Sequence, residues 1–135
     1  MERQKKVIDA SIAVKLFAEE ENSDKAHILM EKFINGQINI IAPELIFLET
    51  LNALRYKKFD KINLDSSNKE MFDFQFEIIN INKDILDKSI DLVQNYNLTI
   101  YDAVYAALAE IHNAQLITAD NKLLKTPNAI NLVNL

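Results

Sequence analysis

The sequence contains no cysteine, so disulfides, thiolate zinc sites, iron–sulfur clusters and cysteine nucleophiles are excluded together. Its only glycine is Gly36. A Walker phosphate loop and a dinucleotide-binding fingerprint each need several glycines, because backbone must approach phosphate closely, and both are excluded too. Two histidines, His27 and His112, leave little room for a histidine-rich metal site. No segment is long and apolar enough to span a membrane. The basic start, residues 1–6, leads into an apolar run that breaks at Asp9, shorter than a signal peptide requires. The expected location is the cytoplasm, with no membrane partner. Basic side chains are outnumbered, 15 Lys and Arg against 20 Asp and Glu, for a formal net charge of −5. That balance argues against broad electrostatic capture of nucleic acid and leaves local basic patches for it.

What is there is ordinary globular sequence. Over 135 residues, 49% are hydrophobic and 26% charged, enough for one domain (1–135) with a sizeable core. No linker, repeat or low-complexity tract interrupts it. Val7-Ile8 before Asp9 reads as the end of a buried strand, with Ser11 capping a helix over 12–17. Ser23 is expected to cap a second helix to about Asn35, stopped by Gly36. A β-branched run over 39–42 is a second strand, and Pro43 suits the first turn of a helix reaching about Lys57. Residues 60–67 are turn-rich, and 67–74 a short helix. A third strand is expected over 76–81, helices over 83–96 and 99–113, a fourth strand over 115–118 and a fifth over 130–133. Strands alternating with helices predict an α/β domain with a mostly parallel central sheet of four to five strands flanked by helices. In such sheets ligands sit beyond the carboxyl ends of the strands, where strand order reverses.

Acids stand where that rule points. Asp9 ends the first strand, and Asp120 follows the fourth in Leu116-Ile117-Thr118-Ala119-Asp120. If those strands are neighbours, both carboxylates overhang one crevice. Asp102 opens a helix, where a carboxylate suits the positive end of the dipole. Glu49 lies one helical turn from Leu45, Ile46, Asn52 and Ala53, a largely apolar face on which an unpaired charge is costly. Converging carboxylates repel and take up protons unless one or two divalent cations join them. Oxygen-only donors suit Mg²⁺ or Mn²⁺. Two ions about 3.5–4 Å apart can clamp the attacking and leaving oxygens of a phosphodiester, and activation of water by the metal removes the need for a histidine base.

Four blocks carry a family resemblance: Val7-Ile8-Asp9-Ala10-Ser11; Ala42-Pro43-Glu44-Leu45 leading to Glu49-Thr50-Leu51-Asn52-Ala53-Leu54; Leu98-Thr99-Ile100-Tyr101-Asp102-Ala103-Val104-Tyr105-Ala106-Ala107-Leu108-Ala109; and Leu116-Ile117-Thr118-Ala119-Asp120-Asn121-Lys122-Leu123-Leu124. In order and spacing, across nearly the whole chain, they resemble the PIN-domain ribonucleases, and the size is most similar to the VapC toxins of toxin–antitoxin pairs. The resemblance implies a metal-dependent endoribonuclease. Asp9, Glu49 and Asp102 would be its principal metal-site acids and Asp120 a more variable fourth. Ser11 matches a hydroxyl that supports the first aspartate, and Thr118 another beside the site. Asn121 stands where the family often carries a further polar or acidic residue. One tightly held ion, or a second arriving with RNA, both fit. The resemblance also implies a cognate antitoxin that sends a basic side chain toward the acids, and a homodimer. The helix after Pro43, with Phe47, Leu48, Leu51, Leu54 and Tyr56, independently asks to be covered on more than one side.

Taken singly, several of these residues have plainer readings. Asp102 alone is a helix cap, Asp120 a turn residue, and Ser11 an N-cap. Tyr96, Tyr101 and Tyr105 read as packing residues, and His27 and His112 as surface residues. Lys57, Lys58 and Lys61 form a solvated face, while Lys122 and Lys125 could meet phosphate. The competing function is a non-catalytic module of the same fold, acting by binding RNA or a partner protein. A phosphoryl-accepting receiver domain fits poorly, since paired acids after the first strand are missing.

Overall fold

The computed structural model describes residues 3–135, so Met1 and Glu2 of the basic start lie outside the described residues. The first strand, β1 (Gln4–Ile8), begins exposed at Gln4 and ends fully buried at Val7 and Ile8. Asp9 caps α1 (Ala10–Val14) through its backbone, its carbonyl accepting from Ile12 and Ala13. Ser11 is therefore inside the helix and does not cap it. Its hydroxyl is turned to other partners.

The second helix, α2 (Ser23–Ile34), is capped by Asn22 in a left-handed conformation. Ser23 instead accepts from the Glu20 amide and donates to the Ala18 carbonyl, which folds the preceding loop. Gly36 ends the helix at φ +77°, and the Gln37 amide closes back on the Lys32 carbonyl. The next strand, β2 (Ile38–Pro43), keeps Pro43. Expected in a first helical turn, this proline pairs with Ile79 at the end of a strand, and α3 (Leu45–Tyr56) starts after Glu44.

The largest departure follows. Residues 61–73 form one helix, α4 (Lys61–Asp73), where a turn and a short helix were expected. Asp60 caps it, its carboxylate accepting from the Asn63 amide at 2.8 Å. Lys61–Asp65 and Lys69–Asp73 pairs one turn apart support its polar face. Phe72 of α4 stacks on Phe47 of α3, with ring centroids 4.2 Å apart. Leu48 and Tyr56 remain 71% and 77% exposed, so α3 is covered on one side and bare on another.

The remaining elements are β3 (Glu77–Ile79), α5 (Lys83–Tyr96), α6 (Ile100–Ile111), β4 (Gln115–Thr118) and β5 (Ala129–Asn131). The five strands make one sheet in the order β3-β2-β1-β4-β5, and every neighbouring pair is parallel. Ile40, Ile41, Leu116 and Ile117 have no exposed surface, as expected for central strands covered on both faces. Residues 103–109 of α6 are all buried, because this alanine-rich helix lies between the sheet and α5. After β1 the chain builds outward through β2 and β3, then crosses back to place β4 on the other side of β1. The topological switch is thus between β1 and β4, where Asp9 and Asp120 leave the sheet.

Candidate metal centre

Asp9 is 4% exposed at the end of β1. Ser11 donates to its Oδ1 at 2.6 Å and Thr118, the last residue of β4, donates to its Oδ2 at 2.8 Å. Each hydroxyl also accepts a backbone amide, Ser11 from Ala119 and Thr118 from Asp120, both at 3.0 Å. Two hydroxyls thereby tie the buried carboxylate to the chain leaving the neighbouring strand. That arrangement exists because β1 and β4 pair in register, Ile8 beside Ile117.

Asp120 lies two residues beyond the end of β4, and its Oδ1 accepts from the Lys122 amide at 2.8 Å, which starts the turn into residues 123–125. Asp102 is the third residue of α6, its amide held by the Thr99 hydroxyl at 3.1 Å. Glu49 lies in the second turn of α3, half-buried, and its Oε1 accepts from the Tyr105 hydroxyl at 2.7 Å.

A family model described as the PIN domain matches residues 6–129. The chain belongs to the PIN domain family. Ribonuclease VapC3 of Pyrobaculum aerophilum is 27% identical over 125 residues, covering 88% of this chain and 92% of that one. Among solved structures, PAE2754 from Pyrobaculum aerophilum is similar with TM-score 0.73 at 25% identity, covering 98% of this chain and 94% of that one. A toxin–antitoxin complex from Klebsiella pneumoniae is similar with TM-score 0.73 at 24% identity, covering 93% of this chain and 96% of that one.

In this PIN domain the acids act on one another. Burial, opposed by the Ser11 and Thr118 hydrogen bonds and reinforced by the charge of Asp120, pushes Asp9 up to about 6. Burial also raises Glu49, with the Tyr105 bond opposing and the charge of Asp102 adding. Burial and then Asp120 raise Asp102, while Thr99 and the cation of Lys122 pull it down. The four acids therefore share one field, linked Asp9 to Asp120, Asp120 to Asp102, and Asp102 to Glu49. Among the described residues, no three His, Asp or Glu side chains stand as a ready-made ligand set around a single point. Both Asp9 oxygens, Glu49 Oε1 and Asp120 Oδ1 accept hydrogen bonds from the protein instead. The donor chemistry nevertheless fits a hard divalent cation. It is oxygen-only and anionic, and three of its members are raised, by burial first and by neighbouring carboxylates second.

Tyr105 is the residue that sequence reasoning missed. It was expected to pack, and its ring does pack, but its hydroxyl is spent on Glu49. The available signal was its position three residues after Asp102, which puts it on the same helix face. An unpaired charge at Glu49 was expected to be costly, and the phenol supplies a hydrogen-bond partner. His27 is exposed on α2 and His112 ends α6 at the opposite end from Asp102. Tyr101 is exposed, and Lys57 pairs with Glu20 at 2.8 Å.

Proposed function

We propose that this PIN domain is a metal-dependent endoribonuclease, the toxin of a toxin–antitoxin pair, which hydrolyses RNA phosphodiesters. What supports this reading is that Asp9 and Asp120 leave neighbouring parallel strands at the switch point of the sheet, with Asp102 and Glu49 near enough for the charges to act pairwise. Asp9, Glu49 and Asp102 would hold Mg²⁺ or Mn²⁺, with Asp120 as a fourth donor. When bound, the cation supplies Lewis acidity for water attack and charge for the departing oxygen. The chain does the rest. Ser11 and Thr118 hold Asp9 in one orientation, so little order is left to impose when the site fills. With both histidines remote from the acids, general-base work does not fall to an imidazole.

The similarity to a ribonuclease over nearly the whole chain, and to a toxin–antitoxin complex, supports RNA as substrate and an antitoxin as partner. A basic side chain of that partner would pair with the raised carboxylates as a cation does. The exposed Leu48 and Tyr56 of α3 support a homodimer. An RNA substrate and an antitoxin partner support a cytoplasmic location. Among the described residues no helix is long and apolar enough to cross a membrane.

A second reading is a non-catalytic module that binds RNA or a partner protein, favoured by the hydrogen bonds already occupying the acids. Purified protein is tested on structured and single-stranded RNAs with Mn²⁺ or Mg²⁺, with chelator, and as Asp9→Asn. Cleavage lost with chelator and in the variant is expected. Binding of RNA without cleavage under every metal condition favours the second reading.

A further inference from the structure

Tyr105 is 1% exposed on the alanine-rich face of α6, among Ala103, Ala106 and Ala107. A phenylalanine would fill that space equally well, so packing accounts for the ring and not for the hydroxyl. A buried hydroxyl needs a partner, and this one meets a carboxylate 56 residues away on another helix. Tyr105 also stands one turn after Asp102, and its phenol feels the charges of Glu49, Asp9 and Asp102. It is therefore an uncharged donor set among three acids.

We propose that Tyr105 is a positioning residue for the cation site, its hydroxyl holding Glu49 by Oε1 and leaving the second oxygen for the ion. This rests on the metal-dependent reading above. A glutamate has three rotatable side-chain bonds, and repulsion from Asp102 turns a free one away from its neighbours. The phenol opposes both effects. It fixes one orientation before the ion arrives, and it does so without adding a positive charge that would compete with the ion. Partners that orient a ligand in this way typically account for a 10–100-fold effect on metal affinity.

The test is Mn²⁺ binding by calorimetry, beside RNA cleavage as a function of Mn²⁺ concentration. Tyr105→Phe is expected to bind Mn²⁺ about tenfold more weakly. Its cleavage midpoint should move by the same factor and its rate should return at saturating Mn²⁺. In a Glu49→Gln background the same change should add nothing. A folded Tyr105→Phe protein with the wild-type Mn²⁺ midpoint overturns the positioning role while leaving the nuclease reading intact. Wild-type protein that neither binds Mn²⁺ nor cleaves RNA removes the nuclease reading itself. If Tyr105→Phe does not fold, wild-type protein labelled with 3-fluorotyrosine is titrated with Mg²⁺. The ¹⁹F signal of the buried tyrosine should shift with the midpoint of ion binding, and an unmoved signal at saturating Mg²⁺ counts against the role.

Discussion

Thr118 donates to Asp9 Oδ2 at 2.8 Å across two neighbouring strands, so the last residue of β4 holds the acid that ends β1. Thr118→Val keeps the shape and removes that donor, together with the acceptor for the Asp120 amide. A bond to a charged acceptor stabilises by about 1.5–3 kcal/mol. The variant should lose stability of that order at pH 7 in urea unfolding. The loss should shrink near pH 4.5, where Asp9 is protonated. Equal losses at both pH values would contradict the assignment.

Burial raises Asp9 from 3.8 to about 6, so the folded protein holds that proton more tightly than the unfolded chain. Stability from this group is therefore greatest below pH 4 and declines as pH rises through 6. The shift of about two units corresponds to roughly 3 kcal/mol by the usual conversion. Asp9→Asn removes the cost. Without divalent ions the variant should match or exceed wild type in stability at pH 7, and the advantage should fade toward pH 4. Guanidinium unfolding of both proteins across this range measures it, alongside complete loss of RNA cleavage at pH 7.

Millimolar Mg²⁺ or Mn²⁺ should raise the wild-type Tm at pH 7.5, because a ligand of the folded state alone stabilises it. The increase should be smaller at pH 5, where protons compete with the ion for Asp9. Chelator should restore the original value. Differential scanning fluorimetry suffices, with Asp9→Asn showing little response.

Leu48 presents most of its side chain to solvent on α3. If two copies meet through that face, Leu48→Asp buries a charge at the contact and should yield monomers in analytical ultracentrifugation. The isolated fold should keep its unfolding free energy within about 0.5 kcal/mol of wild type, as for an exposed position. Wild-type protein sedimenting as a monomer at high concentration would remove the homodimer from the account.

Much of the architecture was legible in local pattern. The helix at Lys83–Tyr96 and the strand at Gln115–Thr118 have the expected limits, because hydrophobic spacing and flanking turns mark them. Residues 61–66 were illegible for a local reason. Asn63, Asp65 and Ser66 suggest a turn until Asp60 caps the helix and the Lys61–Asp65 pair forms along it. Ser11 and Ser23 look like caps in sequence, yet Asp9 and Asn22 take that place; the Ser11 hydroxyl is freed for Ala119 on the chain leaving β4, and that of Ser23 for the preceding loop.

The amino-acid order alone determined the alternation of strands and helices, the absence of thiol chemistry, and the positions at which acids leave the sheet. These follow from composition and from periodicities of a few residues. Only the tertiary structure decided that β4 lies beside β1, which turns Asp9 and Asp120 into neighbours, and that α3 brings Glu49 to the hydroxyl of Tyr105. Strand order and helix apposition arise from burying apolar faces shared by segments far apart in the chain. No local pattern encodes which segment completes which face.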